Sequence, residues 1–123
     1  MMTEKLFSSE IRVMELLWKN GEMSAKELAA ALGESARWSK TTTYTVIKKC
    51  VEKGAVLRTD PGFLCKAAVS KNEVQESEAF ELIDRLFDGS ADLLVSALIG
   101  SGKISREQLL NLREMVRNME DEE

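Results

Sequence analysis

At Gly54 the apolar periodicity of this chain switches from 3.6 residues to 2, after three segments that each carry helix start and stop signals. The first opens at Ser8 or Ser9, places Ile11, Met14, Leu17 and Trp18 at helical spacing, and stops at Asn20-Gly21. The second begins at Ser24, where Ser24-x-x-Glu27 forms a capping box, and runs through Leu28 and a set of alanines to Leu32-Gly33. The third opens near Ser39, with Trp38 placed as an apolar staple, and ends at Lys53-Gly54. Beyond Gly54, residues 55–59 and 63–69 read as two short strands around Asp60-Pro61-Gly62, a hairpin. Three helices and a hairpin in that order predict a winged helix, with helices two and three joined by a slightly long turn as a helix-turn-helix.

The third helix has two chemically distinct faces. Val46, Ile47, Cys50 and Val51 fall on one side, while Thr41, Thr42, Tyr44, Thr45, Lys48 and Lys49 fall mostly on the other. Threonine is short enough to approach base edges or thymine methyls, and lysine is long enough to reach phosphates or guanine. Lys40, Lys49 and Lys53, with Arg58 on the wing, are expected to supply phosphate contacts. Lys66 adds further charge to the wing. The overall charge of −4 hides an asymmetry that supports this face. Residues 1–69 hold 11 Lys/Arg against 8 Asp/Glu, and residues 70–123 hold 6 against 13. Between 37 and 66 the balance is 7 basic to 2 acidic, so the positive charge gathers on the third helix and hairpin. Such a split suggests a nucleic-acid surface followed by an acidic partner module.

From Ser70 onward every segment reads as helix. Ser70-x-x-Glu73 caps a helix carrying Val74, Phe80, Ile83, Leu86 and Phe87 to Asp88-Gly89-Ser90. A compact apolar segment with Leu93, Leu94, Val95, Leu98 and Ile99 ends at Gly100-Ser101-Gly102. Ser105-x-x-Gln108 then opens a last helix with Leu109, Leu112, Met115, Val116 and Met119 along one stripe. That much apolar surface on so few residues predicts intertwining with a second copy across a two-fold axis, through Phe80, Ile83, Leu86, Phe87, Leu94, Leu98, Leu109, Leu112, Met115 and Val116. The expected fold is therefore mainly α with a small β-hairpin wing: a winged helix-turn-helix over residues 1–69 and a helical dimerisation region over 70–123. A two-fold dimer would present its recognition helices to half-sites about 34 Å, or roughly ten base pairs, apart or a multiple of that.

Other classes are excluded by composition. The chain contains no histidine, which removes Ser-His and Cys-His nucleophile systems and most zinc catalysis. An enzyme is not expected, nor a cofactor or metal site. Cys50 and Cys65 lack paired metal-ligand spacing and read as core thiols. No run reaches the roughly 20 apolar residues of a membrane span, and no apolar signal core follows the first residues. Direct membrane insertion is not expected, and the chain reads as cytoplasmic.

Three motifs in order carry a family resemblance: Ile11-x-Val13-Met14-x-x-Leu17-Trp18, Trp38-Ser39-x-x-Thr42-x-x-Thr45-x-x-x-Lys49-x-x-x-Lys53-Gly54, and Leu86-Phe87-Asp88-Gly89-Ser90. The chain resembles the BlaI/MecI/CopY family of bacterial winged-helix repressors, in register from Ser8 to the last helix. The resemblance implies a homodimeric transcriptional repressor on an inverted repeat of TACA and TGTA type, at promoters of β-lactam-resistance or copper-handling genes. It also implies Thr42, Thr45 and Lys49 as inherited DNA contacts, and admits a membrane sensor-protease as a further partner. Tyr44 and Lys48 come from the helix face alone. Departures from the family pattern are specific. The recognition helix opens with Lys40-Thr41 where the family has Pro then Lys. Ala97-Leu98 stands where β-lactam-responsive members carry an Asn-Phe cleavage pair. No cysteine follows Cys65, whereas metal-switched members end in a cysteine cluster, and the aromatic, x, aromatic pattern of the wing is reduced to Phe63-Leu64-Cys65.

Two other readings fit parts of the sequence. One is a protein-interaction adaptor whose winged helix meets an acidic protein surface and binds DNA without sequence preference. The other is a thiol redox sensor, for which Cys65 is the candidate because Cys50 falls on the core face.

Overall fold

The computed structural model describes residues 4 to 122. Its elements are α1 (Ser8–Asn20), β1 (Met23–Ser24), α2 (Ala25–Ser35), α3 (Lys40–Glu52), β2 (Val56–Thr59), β3 (Leu64–Ala67), α4 (Lys71–Leu86), α5 (Ala91–Gly100) and α6 (Arg106–Glu122). The chain divides into two compact units, one running to Ala79 and the other from Phe80.

In the first unit, α1 buries Val13, Met14 and Leu17, side chains one turn apart on a single face. Its last turn closes on Gly21 at φ 81°, whose N–H donates to the Leu17 carbonyl at 2.8 Å. α2 starts as its capping box dictates, with the Glu27 N–H on Ser24 Oγ at 3.1 Å and the Ser24 N–H on Glu27 Oε1 at 3.0 Å. Gly33 does not stop it. The helix runs two residues further, to Ser35, and the left-handed residue that ends it is Arg37 at φ 57°. Gly33 keeps helical dihedrals, so it has none of the left-handed geometry through which glycine terminates a helix.

Met14, Leu28, Ile47, Val56, Cys50 and Cys65 meet in one core between the three helices and the sheet. That sheet has three strands rather than a bare hairpin: the order is β1-β3-β2, all antiparallel, with Met23 opposite Cys65 and Arg58 opposite Cys65 on the other side. The two residues of β1 are too few to show a period of 2 in sequence. Trp18 donates its Nε1–H to the Val69 carbonyl at 2.9 Å, fastening α1 to the exit of the wing. The first turns of α4 belong to this unit as well: Val74 is buried in its core, and Lys71 pairs with Glu15 at 3.2 Å.

In the second unit, α5 is capped by Ser90 and α6 by the Ser105–Gln108 box, whose two bonds measure 2.9 and 3.1 Å. Among the described residues α5 buries no side chain. Of the positions expected at a dimer contact, Ile83, Phe87 and Leu94 are half-buried, while Phe80, Leu86, Leu98, Leu109, Leu112, Met115 and Val116 are exposed, Phe80 to 67%.

Candidate nucleic-acid interface

The outer face of α3 is built from its cap upward. Ser39 Oγ accepts the Thr42 N–H at 3.1 Å and donates to Thr42 Oγ1 at 2.9 Å, so Thr42 belongs to the cap and still has its own hydroxyl hydrogen to give. Thr43, not singled out from sequence, is fully buried and donates to the Ser39 carbonyl at 3.2 Å. Thr45 donates to the Thr41 carbonyl at 2.9 Å and keeps its lone pairs as acceptors. Lys40, Thr41, Thr42, Thr45, Lys48 and Lys49 are all exposed. No acidic residue lies in the first turn, so the positive end of the helix dipole and Lys40 add together there. Among the described residues, no carboxylate pairs with Lys40, Lys48 or Lys49.

Two of the expected phosphate ligands are engaged elsewhere. Lys53 is turned inward, its side chain 18% exposed. Its ammonium donates to Glu10 Oε1 at 2.6 Å and to the Lys5 carbonyl at 2.8 Å, and stands 4.3 Å from the centre of the Phe7 ring. Glu10 is 1% exposed and also accepts the Phe7 N–H at 2.8 Å. Lys53 is thus corrected from a phosphate ligand to the counterion of a buried carboxylate, because an ammonium so enclosed has little to offer a phosphate. Burial pushes the Glu10 carboxyl up, but the hydrogen bonds from Lys53 and the Phe7 backbone, with the charges of Lys53 and Lys49, hold it below its ordinary value. Arg58 is exposed on the wing, yet its Nε donates to Asp60 Oδ2 at 3.1 Å and its guanidinium lies over the Phe63 ring. The sequence signal for Glu10 is an acid one turn ahead of Met14, on the same face as the core stripe.

Both cysteines are buried, Cys65 as fully as Cys50. Burial, reinforced by the Glu10 charge, pushes the Cys50 thiol up to about 12. Burial also raises Cys65, against a smaller opposing pull from Arg58. A redox sensor needs an exposed thiolate, so the structure removes Cys65 from that role. A thiol-specific reagent at pH 8 is expected to label neither cysteine in the folded protein and both in denaturant; fast labelling of Cys65 in the fold would contradict this placement.

These features define a winged helix-turn-helix with a basic, hydroxyl-bearing outer face on its third helix. Comparison with known proteins narrows the class, for the penicillinase repressor family matches residues 6–118. The chain belongs to that family. Its relatives include the penicillinase repressor of Bacillus licheniformis, 20% identical over 114 residues that cover 91% of this chain and 89% of the relative. The methicillin resistance regulatory protein MecI of Staphylococcus aureus strain N315 is 22% identical over 116 residues, covering 93% and 94%. Among solved structures, the DNA-binding domain of the repressor BlaI aligns with TM-score 0.54 at 22% identity, over 58% of this chain and 90% of that one. The monomeric Bacillus licheniformis BlaI in complex with the blaP half-operator aligns with TM-score 0.52 over the same shares, also at 22% identity. At these identities the likeness shows the fold. Among the described residues no group of acidic or cysteine side chains is arranged to hold a metal ion, and no helix is long and apolar enough to cross a membrane.

Proposed function

We propose that this chain is a transcriptional repressor that binds an inverted-repeat operator as a homodimer, with α3 in the major groove. The observation that carries the reading is the outer face of α3, where Lys40, Thr41, Thr42, Thr45, Lys48 and Lys49 stand exposed together on a helix whose inner face is locked in the core. Lys40, Lys48 and Lys49 would meet phosphates, while Thr42 and Thr45 would meet base edges. Family membership supports the repressor assignment, and the BlaI relative forms a complex with a half-operator. The dimer is supported by the apolar side chains of α4 to α6, which the chain leaves exposed on several faces. On this reading residues 1–69 recognise DNA and residues 70–123 hold two copies together.

Fluorescence anisotropy on a TACA/TGTA inverted repeat and on a scrambled duplex, across a salt series, tests it. The expected result is two chains per duplex, a preference of about a thousandfold for the specific sequence, and affinity falling steeply with salt as counterions are released. Weak, equal binding to both duplexes, with random-site selection also returning no preferred sequence, would defeat the repressor reading in favour of an adaptor.

A further inference from the structure

The wing and α3 are joined by a stack of side chains that a phosphate-binding role for Arg58 leaves unexplained. The Arg58 guanidinium carbon lies 3.6 Å from the centre of the Phe63 ring. Its Nε is 3.1 Å from Asp60 Oδ2, with further contacts of 3.4 Å from Nε and Nη2 to Oδ1. The Phe63 ring in turn meets the Tyr44 ring edge-on, centres 5.8 Å apart and planes at 82°. Phe63 takes φ 48°, a conformation that bulky side chains rarely adopt, and its carbonyl accepts the Ala25 N–H at 2.9 Å. Phe63 is therefore fixed by its backbone to the start of α2, and its ring bridges Arg58 on the wing and Tyr44 on the recognition helix.

Two consequences follow from this order of contacts. The Arg58 charge is matched by Asp60, so the pair offers a phosphate little net attraction unless the stack is broken. Tyr44, half-buried and braced, forms one wall of a shallow, mostly apolar depression that it shares with Lys40, Thr41, Thr45 and Lys48. A ring already held in place gives up little side-chain freedom on meeting a base, and an apolar recess in the major groove distinguishes thymine by its 5-methyl group.

We infer that Tyr44 is a sequence-discriminating residue, that its depression receives a thymine methyl, and that Arg58 and Phe63 are positioning residues acting through Tyr44. This rests on the DNA-binding reading above. The test uses a duplex obtained by random-site selection with the wild-type protein, and copies of it in which each thymine in turn is replaced by deoxyuridine, which lacks only the methyl. Anisotropy across a salt series is measured for wild type, Tyr44→Ala, Arg58→Ala and Arg58→Lys. For the wild type, one replacement per half-site is expected to weaken binding about fourfold, the worth of burying one methyl group, and Tyr44→Ala should be indifferent to it. Arg58→Ala should lose most of the same discrimination with its salt slope unchanged, and Arg58→Lys should not restore it, since an ammonium keeps the charge and loses the planar stack.

The inference is overturned if Arg58→Ala lowers the salt slope by about one and Arg58→Lys recovers affinity, because Arg58 is then a phosphate ligand. It is overturned equally if no thymine methyl matters, or if Tyr44→Ala keeps the wild-type sensitivity. A failure of the DNA-binding reading itself looks different: the selection would enrich no sequence at all, and the inference would fall with it.

Discussion

Replacing Lys53 with Met is expected to cost about 2 to 4 kcal/mol of folding free energy, because it leaves the carboxylate of Glu10 buried without its cation. The wild-type ammonium is partly open to solvent, which places the expectation below the top of the range for a fully enclosed pair. Urea unfolding of three variants checks it. Lys53→Met should be the least stable; Glu10→Gln, which can still accept from the Phe7 N–H, should lose less; and the double variant should recover part of the loss of Lys53→Met. A double variant whose loss equals the sum of the two singles would show that the pair is not coupled.

The same pair fixes a pH dependence. The Glu10 pKa in the fold lies below the ordinary 4.5, so the unfolded chain binds this proton more readily than the folded one. The pair's contribution is therefore complete above about pH 4.5 and is lost as pH falls through the lower, folded value. In Lys53→Met the carboxyl keeps its burial and loses its cation, so its folded pKa rises, and the stability deficit against the wild type should narrow as pH falls, because protonating Glu10 relieves the buried charge.

The second large effect falls on DNA affinity. Lys48 and Lys49 are exposed and unpaired among the described residues, and each is expected to release about one counterion equivalent on binding. Lys48→Ala and Lys49→Ala should each lower the salt slope by about one, and the double variant should bind about a hundredfold more weakly at low salt. Stability should barely change, since both side chains lie on the surface. Lys53→Met supplies the contrast: it should destabilise the fold and leave the salt slope alone. A double Lys48→Ala/Lys49→Ala variant with wild-type affinity would move the DNA surface off this face of α3.

These contrasts mark what the sequence could and could not convey. Helix starts were legible because capping is local: Ser24 with Glu27, Ser70 with Glu73 and Ser105 with Gln108 sit three residues apart and form the boxes their spacing announces. The third strand was not legible, since Met23 and Ser24 become a strand only by pairing with Leu64 and Cys65 some forty residues away. The helix face was legible as a face but not in its uses. Lys48 on α3 and Lys53 at its C-cap are the same residue type five positions apart. Only the fold shows that one points to solvent and the other closes on Glu10, 43 positions earlier in the chain. Arg58 misleads in the same way, because the partners that occupy it, Asp60 and the Phe63 ring, are set by the turn of the wing.

α5 has no buried side chain among its ten residues, and on the dimer proposed above that makes abundance a structural variable. A segment that finds its core only in a second copy is ordered in proportion to how often copies meet, so the free energy holding it in place grows with concentration. A cell holding few copies has few competent DNA binders, and a modest rise in synthesis raises their number more than proportionally. Promoter occupancy would then respond to protein level more steeply than one-to-one binding allows, and that steepness would come from a short apolar helix remote in sequence from the α3 face proposed to read DNA.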